Sequence, residues 1–280
     1  MPVVVRILVV AILAALAGHS ASAQGALDRA AVVRAAADAL GMVRWSDIGA
    51  GTTRLPGIDV VNTMEFWASG TVERGGKAMK AEYHAAVGYN PPAMRVAIAP
   101  AGAPRAIQTV REAFAWDESE IGAGLVPGKG TATPAMGALR ERLLLLWTLP
   151  YGVVKAALAA GERTTVSRDG GATVIAFPLD GELTGITVRA TLDAANLVTR
   201  VETRADDPAL ASLAAVTEYS SYADRAEVLT DIKTPGRIVR RQGGRTVLDL
   251  NVTKWETNNL YLVFPVPPNV KAAASAAAPR

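Results

Sequence analysis

The sequence predicts an α+β protein in which an antiparallel sheet is covered by a few helices. Three observations carry that expectation. Apolar and polar side chains alternate with a period of two through both halves of the chain, Gly- and Asp-rich turn signals interrupt the alternation at short intervals, and apolar positions take helical spacing only near the start and in the middle. Strands that follow one another without intervening helices pair antiparallel, and a sheet with one apolar face needs a cover.

The chain begins with Arg6 ahead of an uninterrupted apolar run over residues 7–17. Gly18, His19 and Ser20 end the run short of the roughly 20 apolar residues that a spanning helix needs. Ala21-Ser22-Ala23 then offers the small-x-small pattern that signal peptidase accepts. The expectation is a signal peptide over residues 1–23, cleaved after Ala23, and an exported chain with no stable membrane span after cleavage. Cysteine is absent, so there is no lipidation cysteine, no disulfide and no thiolate chemistry. The fold must then stand on its core, which a mature chain of this length can supply.

A helix comes first in the mature chain, because Leu27, Ala30, Val33, Ala37 and Leu40 recur at helical spacing, with Gly41 as its stop. After a Gly-rich turn over residues 49–57, Met64, Phe66 and Ala68 share one face of a strand while Thr63, Glu65, Trp67 and Ser69 share the other. Gly75-Gly76 marks a hairpin into a second strand from Lys77 to Val87. Its Met79, Ala81, Tyr83, Ala85 and Val87 oppose Lys80, Glu82, His84 and Ala86. Strand-like stretches continue over 94–99 and 106–116.

In the middle, a Gly-rich segment over 122–131 leads into Thr133 and Pro134, expected as the cap and first residue of a helix. Met136, Leu139, Leu143, Leu146 and Trp147 form an apolar stripe, and Pro150 opens a second short helix that ends at Gly161. From Arg163 onward the pattern is a meander, with turns at Asp169-Gly170-Gly171, Asp180-Gly181, 193–196, Asp206-Asp207-Pro208 and Gly243-Gly244. One domain over residues 24–270 is expected, followed by an Ala-rich tail over 271–280 that carries no packing pattern and reads as disordered.

The inventory of reactive groups is narrow. His19 leaves with the leader, so the mature chain keeps only His84, which rules out a zinc site built on two or three histidines. A Ser-His-Asp triad would have to use His84, and the alternation puts that residue on the polar face of its strand. There is no Gly-x-Ser-x-Gly elbow, and Gly128-Lys129-Gly130-Thr131 lacks the glycine spacing of a phosphate loop. Asp117, Glu118 and Glu120 lack the spacing of a calcium loop and read as a solvated turn. The residues therefore indicate no catalytic group, no metal site and no cofactor, although an acid pair meeting only in space would leave no trace along the chain. Half the residues are apolar and a fifth charged, as in a globular chain. The formal charge of +3, one unit lower once the leader takes Arg6 with it, gives no footprint for nucleic acid.

The one basic concentration is Arg237, Arg240 and Arg241, joined by Arg245 across the Gly243-Gly244 turn. On a hairpin these guanidinium groups would collect at one end of the sheet and suit phosphate headgroups or an acidic partner surface. The same charges also serve to keep a hairpin tip soluble.

The order of an N-terminal helix, a long meander, a central apolar helix pair and a final run of strands resembles the LolA/LolB-like periplasmic lipoprotein carriers. Thr234-Pro235, Arg237-Ile238-Val239, Gly243-Gly244 and Leu248-Asp249-Leu250-Asn251-Val252 look like the late hairpin of such domains. The segment from Leu144 to Leu158 is also similar to one in a domain that precedes some exported metallo-β-lactamase-like hydrolases. The His-x-His-x-Asp-His motif of that hydrolase is absent here.

The resemblance implies an open half-barrel whose concave apolar face and covering helices leave a pocket for an acyl chain. Met64, Phe66, Phe114, Trp116, Leu143, Trp147 and Val153 are the large apolar residues expected to meet between the layers. Every sheet covered by helices carries such residues, and most such clusters are a filled core. The functional expectation is an exported, periplasmic, non-enzymatic protein that binds a lipid, a lipoprotein or another hydrophobic ligand. The alternative is an interaction module that docks an exported enzyme or envelope complex through its sheet edge or basic hairpin. The sequence specifies no oligomeric state.

Overall fold

A computed structural model of the chain describes residues 27–43, 45–47, 52–54, 61–224 and 231–277. The expected signal peptide over 1–23, and most of the Gly-rich turn over 49–57, lie outside the described residues. Helix α1 (Arg29–Ala39) is capped by Asp28, whose carboxylate accepts from the backbone N–H groups of Ala30 and Ala31, and it buries Val33, Ala36 and Ala37. A short pair follows, β1 (Trp45–Asp47) with β2 (Thr52–Arg54).

The first run of strands is β3 (Thr63–Arg74), β4 (Lys77–Tyr89), β5 (Pro92–Pro100), β6 (Ala106–Arg111), β7 (Phe114–Glu118) and β8 (Ala132–Pro134). The central helices are α2 (Leu139–Trp147) and α3 (Pro150–Ala160). The second run is β9 (Thr165–Asp169), β10 (Ala172–Pro178), β11 (Ile186–Leu192), β12 (Val198–Ala205), β13 (Ala215–Ser220), β14 (Ala223–Asp224), β15 (Lys233–Thr234), β16 (Arg237–Gln242) and β17 (Arg245–Thr257). Helix α4 (Pro268–Ala277) completes the described residues.

Thirteen of these strands form one curved antiparallel sheet that does not close, in the order β8-β7-β6-β5-β4-β3-β17-β16-β13-β12-β11-β10-β9. The chain starts at the centre, meanders out to the β8 edge, crosses to the β9 edge, and meanders back until β17 pairs with β3. That crossing is made by α2 and α3, which is why they cover the inner face. Gly70 lies where β3 and β17 join, facing Leu250, and a Cβ there would run into the Asp249 carbonyl.

The inner face carries the core predicted by the alternation: Met64, Phe66 and Ala68 of β3 and Ala81, Tyr83, Ala85 and Val87 of β4 are buried in one cluster with all three of α1, α2 and α3. The α2 and α3 axes meet at 95°. Thr148 secures the corner by donating to the Leu144 carbonyl at 2.7 Å, while the Tyr219 hydroxyl donates to the Thr148 carbonyl at 2.7 Å. Gly152 permits the close turn, since a Cβ there would strike the Leu146 carbonyl. Among the described residues no single helix is long and apolar enough to cross a membrane.

Four details differ from the sequence expectation. The stretch 106–116 is a hairpin of two strands, turned at Glu112, which adopts a positive φ of 50° without a glycine to advertise it. Thr133 and Pro134 belong to edge strand β8, paired with β7, and the helix that follows starts only at Leu139 after a short turn of 3-10 helix. Residues 268–277 form α4, a helix that reaches into the Ala-rich segment where the sequence carries no packing pattern.

The fourth concerns the outer face. Register aligns Glu65, Ala86, Arg95, Thr109 and Trp116 in one row across β3 to β7. The segment after β17 runs along that row: Asn259 donates to Glu65 at 2.8 Å, Phe264 packs on Ala86 and Ala93, and Val270 of α4 packs on Trp116 and Ala132. A C-terminal strap thus buries part of a face that alternation alone assigns to solvent.

Candidate functional site

Helix α2 turns Glu141 and Leu145, four residues apart, toward the inner face of the sheet, and Thr148 and Leu149 of the corner between α2 and α3 face the same way. Opposite them, inner-face residues of adjacent strands fall in register: Thr217 of β13 with Arg240 of β16, Arg240 with Leu248 of β17, and Leu248 with Val72 of β3. Between helix and strands lies a cavity of about 310 Å³. Val72, Val96, Ile98, Leu145, Val247 and Leu248 give it apolar walls, and Glu73, Arg74, Gln108, Glu141 and Gln242 supply polar groups, of which Arg74 and Glu141 are exposed. A narrow extension of about 20 Å³ continues past Tyr83 and Arg240 toward Phe66, Met94 and Ile238.

Arg240 separates the two spaces and is the one charged side chain buried among their walls, at 4% exposure. Its Nη1 donates to Thr217 Oγ1 at 3.3 Å. Its Nη2 is fully enclosed and is the only buried side-chain polar atom without a hydrogen-bond partner among the described residues. Burial draws the guanidinium pKa down, opposed in order by Tyr219, Glu141 and Tyr83. A guanidinium nevertheless stays protonated in a protein. Tyr83 and Tyr219 remain neutral, because burial pushes both phenols up.

The four arginines of the expected basic tip do not form one patch. Arg237 makes a two-bond pair with Asp249, at 3.2 and 3.0 Å, Arg241 pairs with Glu218 at 2.6 Å, and Arg245 reaches Glu73 at 3.0 Å. Those three lie on the solvent side and neutralise neighbouring carboxylates, while Arg240 points the other way into the cavity wall. The alternation explains the split: Ile238, Arg240 and Gln242 share a parity, and Ile238 is a core residue.

The seven apolar residues expected to meet between the layers are also divided. Met64, Phe66, Leu143 and Val153 are buried in the main core, and of these only Phe66 touches the narrow extension. Trp147 is half-buried, its ring 6.0 Å from that of Tyr89. Phe114 and Trp116 lie on the opposite face of the sheet, beneath α4. The cavity walls instead come from Leu145, one residue off the predicted helical stripe, and from smaller β-branched strand residues.

The acidic cluster at 117–120 is not a solvated turn. Glu118 is buried, and its Oε1 accepts from Arg95 Nε at 3.2 Å, Thr109 Oγ1 at 2.7 Å and Trp116 Nε1 at 3.0 Å, while Oε2 accepts from the Gly122 backbone at 2.7 Å. Asp117 pairs with Arg142 of α2, which also donates to the carbonyls of Thr109 and Trp116. Only Glu120 is exposed with no contact of this kind to describe. His84 is half-buried, stacked on Trp67 with ring centroids 4.5 Å apart, and its Nε2 lies 3.1 Å from Glu65.

No family model matches this chain, and no curated protein matches it in sequence. In structure it is similar to a LolA superfamily protein from Nitrosomonas europaea, with a TM-score of 0.45 and 10% identity over 81% of this chain and 94% of that one. It is similar also to a DUF1329 family protein from Desulfovibrio piger, with a TM-score of 0.48 and 10% identity over 85% and 96% of the two chains. At that identity the likeness lies in the backbone alone.

Proposed function

We propose that this chain is an exported, non-enzymatic protein of the cell envelope that holds a lipid, the acyl chain of a lipoprotein or another hydrophobic ligand between its sheet and α2. The observation that carries this reading is the cavity of about 310 Å³, a size at the lower end of ligand sites, with apolar walls and a few polar groups converging on it. The strands that border it are β3–β6, β16 and β17. Export is supported by Arg6, the apolar run over 7–17 and the Ala21-Ser22-Ala23 pattern, and a periplasmic location follows the carrier reading.

The test is extraction and mass spectrometry of chain purified from its native compartment, beside native mass spectrometry of the intact protein. A stoichiometric amphiphile, absent from a Leu145→Trp variant whose indole fills the cavity, is the expected result. Protein that arrives empty and takes up no fluorescent fatty acid contradicts the reading. For the interaction-module reading, Arg237, Arg241 and Arg245 stay exposed but are each paired with a carboxylate of this chain.

A further inference from the structure

We infer that the ligand of this cavity is an anionic amphiphile, its acid group held by Arg240 and its hydrocarbon lying along Val72, Val96, Ile98, Leu145 and Leu248. The inference deepens the carrier reading above and rests on it. The evidence begins with a contrast among the three buried arginines of the described residues, Arg95, Arg142 and Arg240. Arg95 is paired with Glu118, and Arg142 with Asp117 and two backbone carbonyls. Arg240 has no ion pair, one long hydrogen bond to a hydroxyl, and an Nη2 with no partner.

A protonated guanidinium enclosed in this way bears a desolvation cost that Thr217, Tyr219, Glu141 and Tyr83 offset only in part, since no carboxylate is bonded to it. Arg240 lines the cavity, and a small turn of its guanidinium that uncovers Nη2 lets an oxyanion there offset that cost and gain charge-assisted bonds, which a guanidinium offers in a planar fork. Beside the polar groups of Glu73, Arg74, Gln108, Glu141 and Gln242, the walls offer an apolar stretch along Val72, Val96, Ile98, Leu145 and Leu248, which suits hydrocarbon. The extension beyond Arg240, at about 20 Å³, is too small for a chain, which puts the hydrocarbon in the larger space. A neutral lipid offers Nη2 a carbonyl or hydroxyl oxygen but no compensating charge.

Calorimetric titration of the intact chain, stripped of co-purified lipid, with decanoate and decanol separates the headgroup from the tail. Decanoate is expected to bind at least about tenfold more tightly than decanol, the size of one bond to a charged group. Arg240→Gln is expected to bring the two within about twofold by weakening decanoate only, and Leu145→Trp to remove both. Equal affinity of the two ligands for the unaltered protein overturns the inference and leaves the cavity reading standing, whereas binding of neither removes both. Competition on the unaltered protein decides the matter without any variant. Decyl sulfate should displace decanoate and decyltrimethylammonium should not, and displacement by both alike overturns the inference.

Discussion

Two buried charges, one on each face of the same sheet, are treated in opposite ways. Glu118 on the outer face accepts four hydrogen bonds, from Arg95, Thr109, Trp116 and the Gly122 backbone. Arg240 on the inner face has one, at 3.3 Å, and an unpartnered Nη2. A saturated buried charge fixes local structure, because removing it strands its partners. An unsaturated one beside a cavity keeps a donor free, and on the inference above that donor serves what enters the cavity. The difference separates a structural polar network from a binding group without reference to sequence position.

The comparison can be broken by mutation. Glu118→Ala strands Arg95 beneath Phe264 and should cost about 3–5 kcal/mol, the usual penalty for halving a buried ion pair, measured by urea unfolding. A loss under about 1 kcal/mol would show that the outer network is not structural. Phe264→Ala removes a buried ring from the strap over Ala86 and Ala93 and should cost about 3 kcal/mol in the same assay, with proteolysis after β17 accelerated. Arg240→Met should be neutral or stabilising by up to about 1 kcal/mol, because a buried unpaired charge gives way to an apolar chain of similar length. A loss above about 2 kcal/mol would make Arg240 structural and erase the contrast. Arg241→Ala, which breaks a half-exposed pair with Glu218, should change stability by about 0.5 kcal/mol or less.

The sequence showed the elements more clearly than the faces of special residues. Alternation through Met64, Phe66 and Ala68 and through Ala81 to Val87 identified the inner face of β3 and β4, and the stripes of Leu and Val identified α1, α2 and α3. Turns built on Gly-Gly were legible, whereas the Glu112 turn was not, because its positive φ falls on a residue without turn preference. Glu118 was read with its charged neighbours, yet counting in twos from Phe114 and Trp116 places it beside Trp116 on one face. Arg240 was grouped with Arg237 and Arg241 by proximity along the chain, yet it shares parity with Ile238. In both cases period-two placement carried the signal that charge clustering obscured. The strap was illegible for a different reason: α4 is short and Ala-rich, and it is held by long-range contacts to β7 and β8 that leave no local pattern.

The most direct test of the central claim is a crystal structure of the chain with decanoate. The account predicts the carboxylate within hydrogen-bond distance of Arg240 Nη2 and the hydrocarbon between Leu145 and Leu248. Decanoate bound elsewhere, with Arg240 Nη2 still unpartnered, would contradict it.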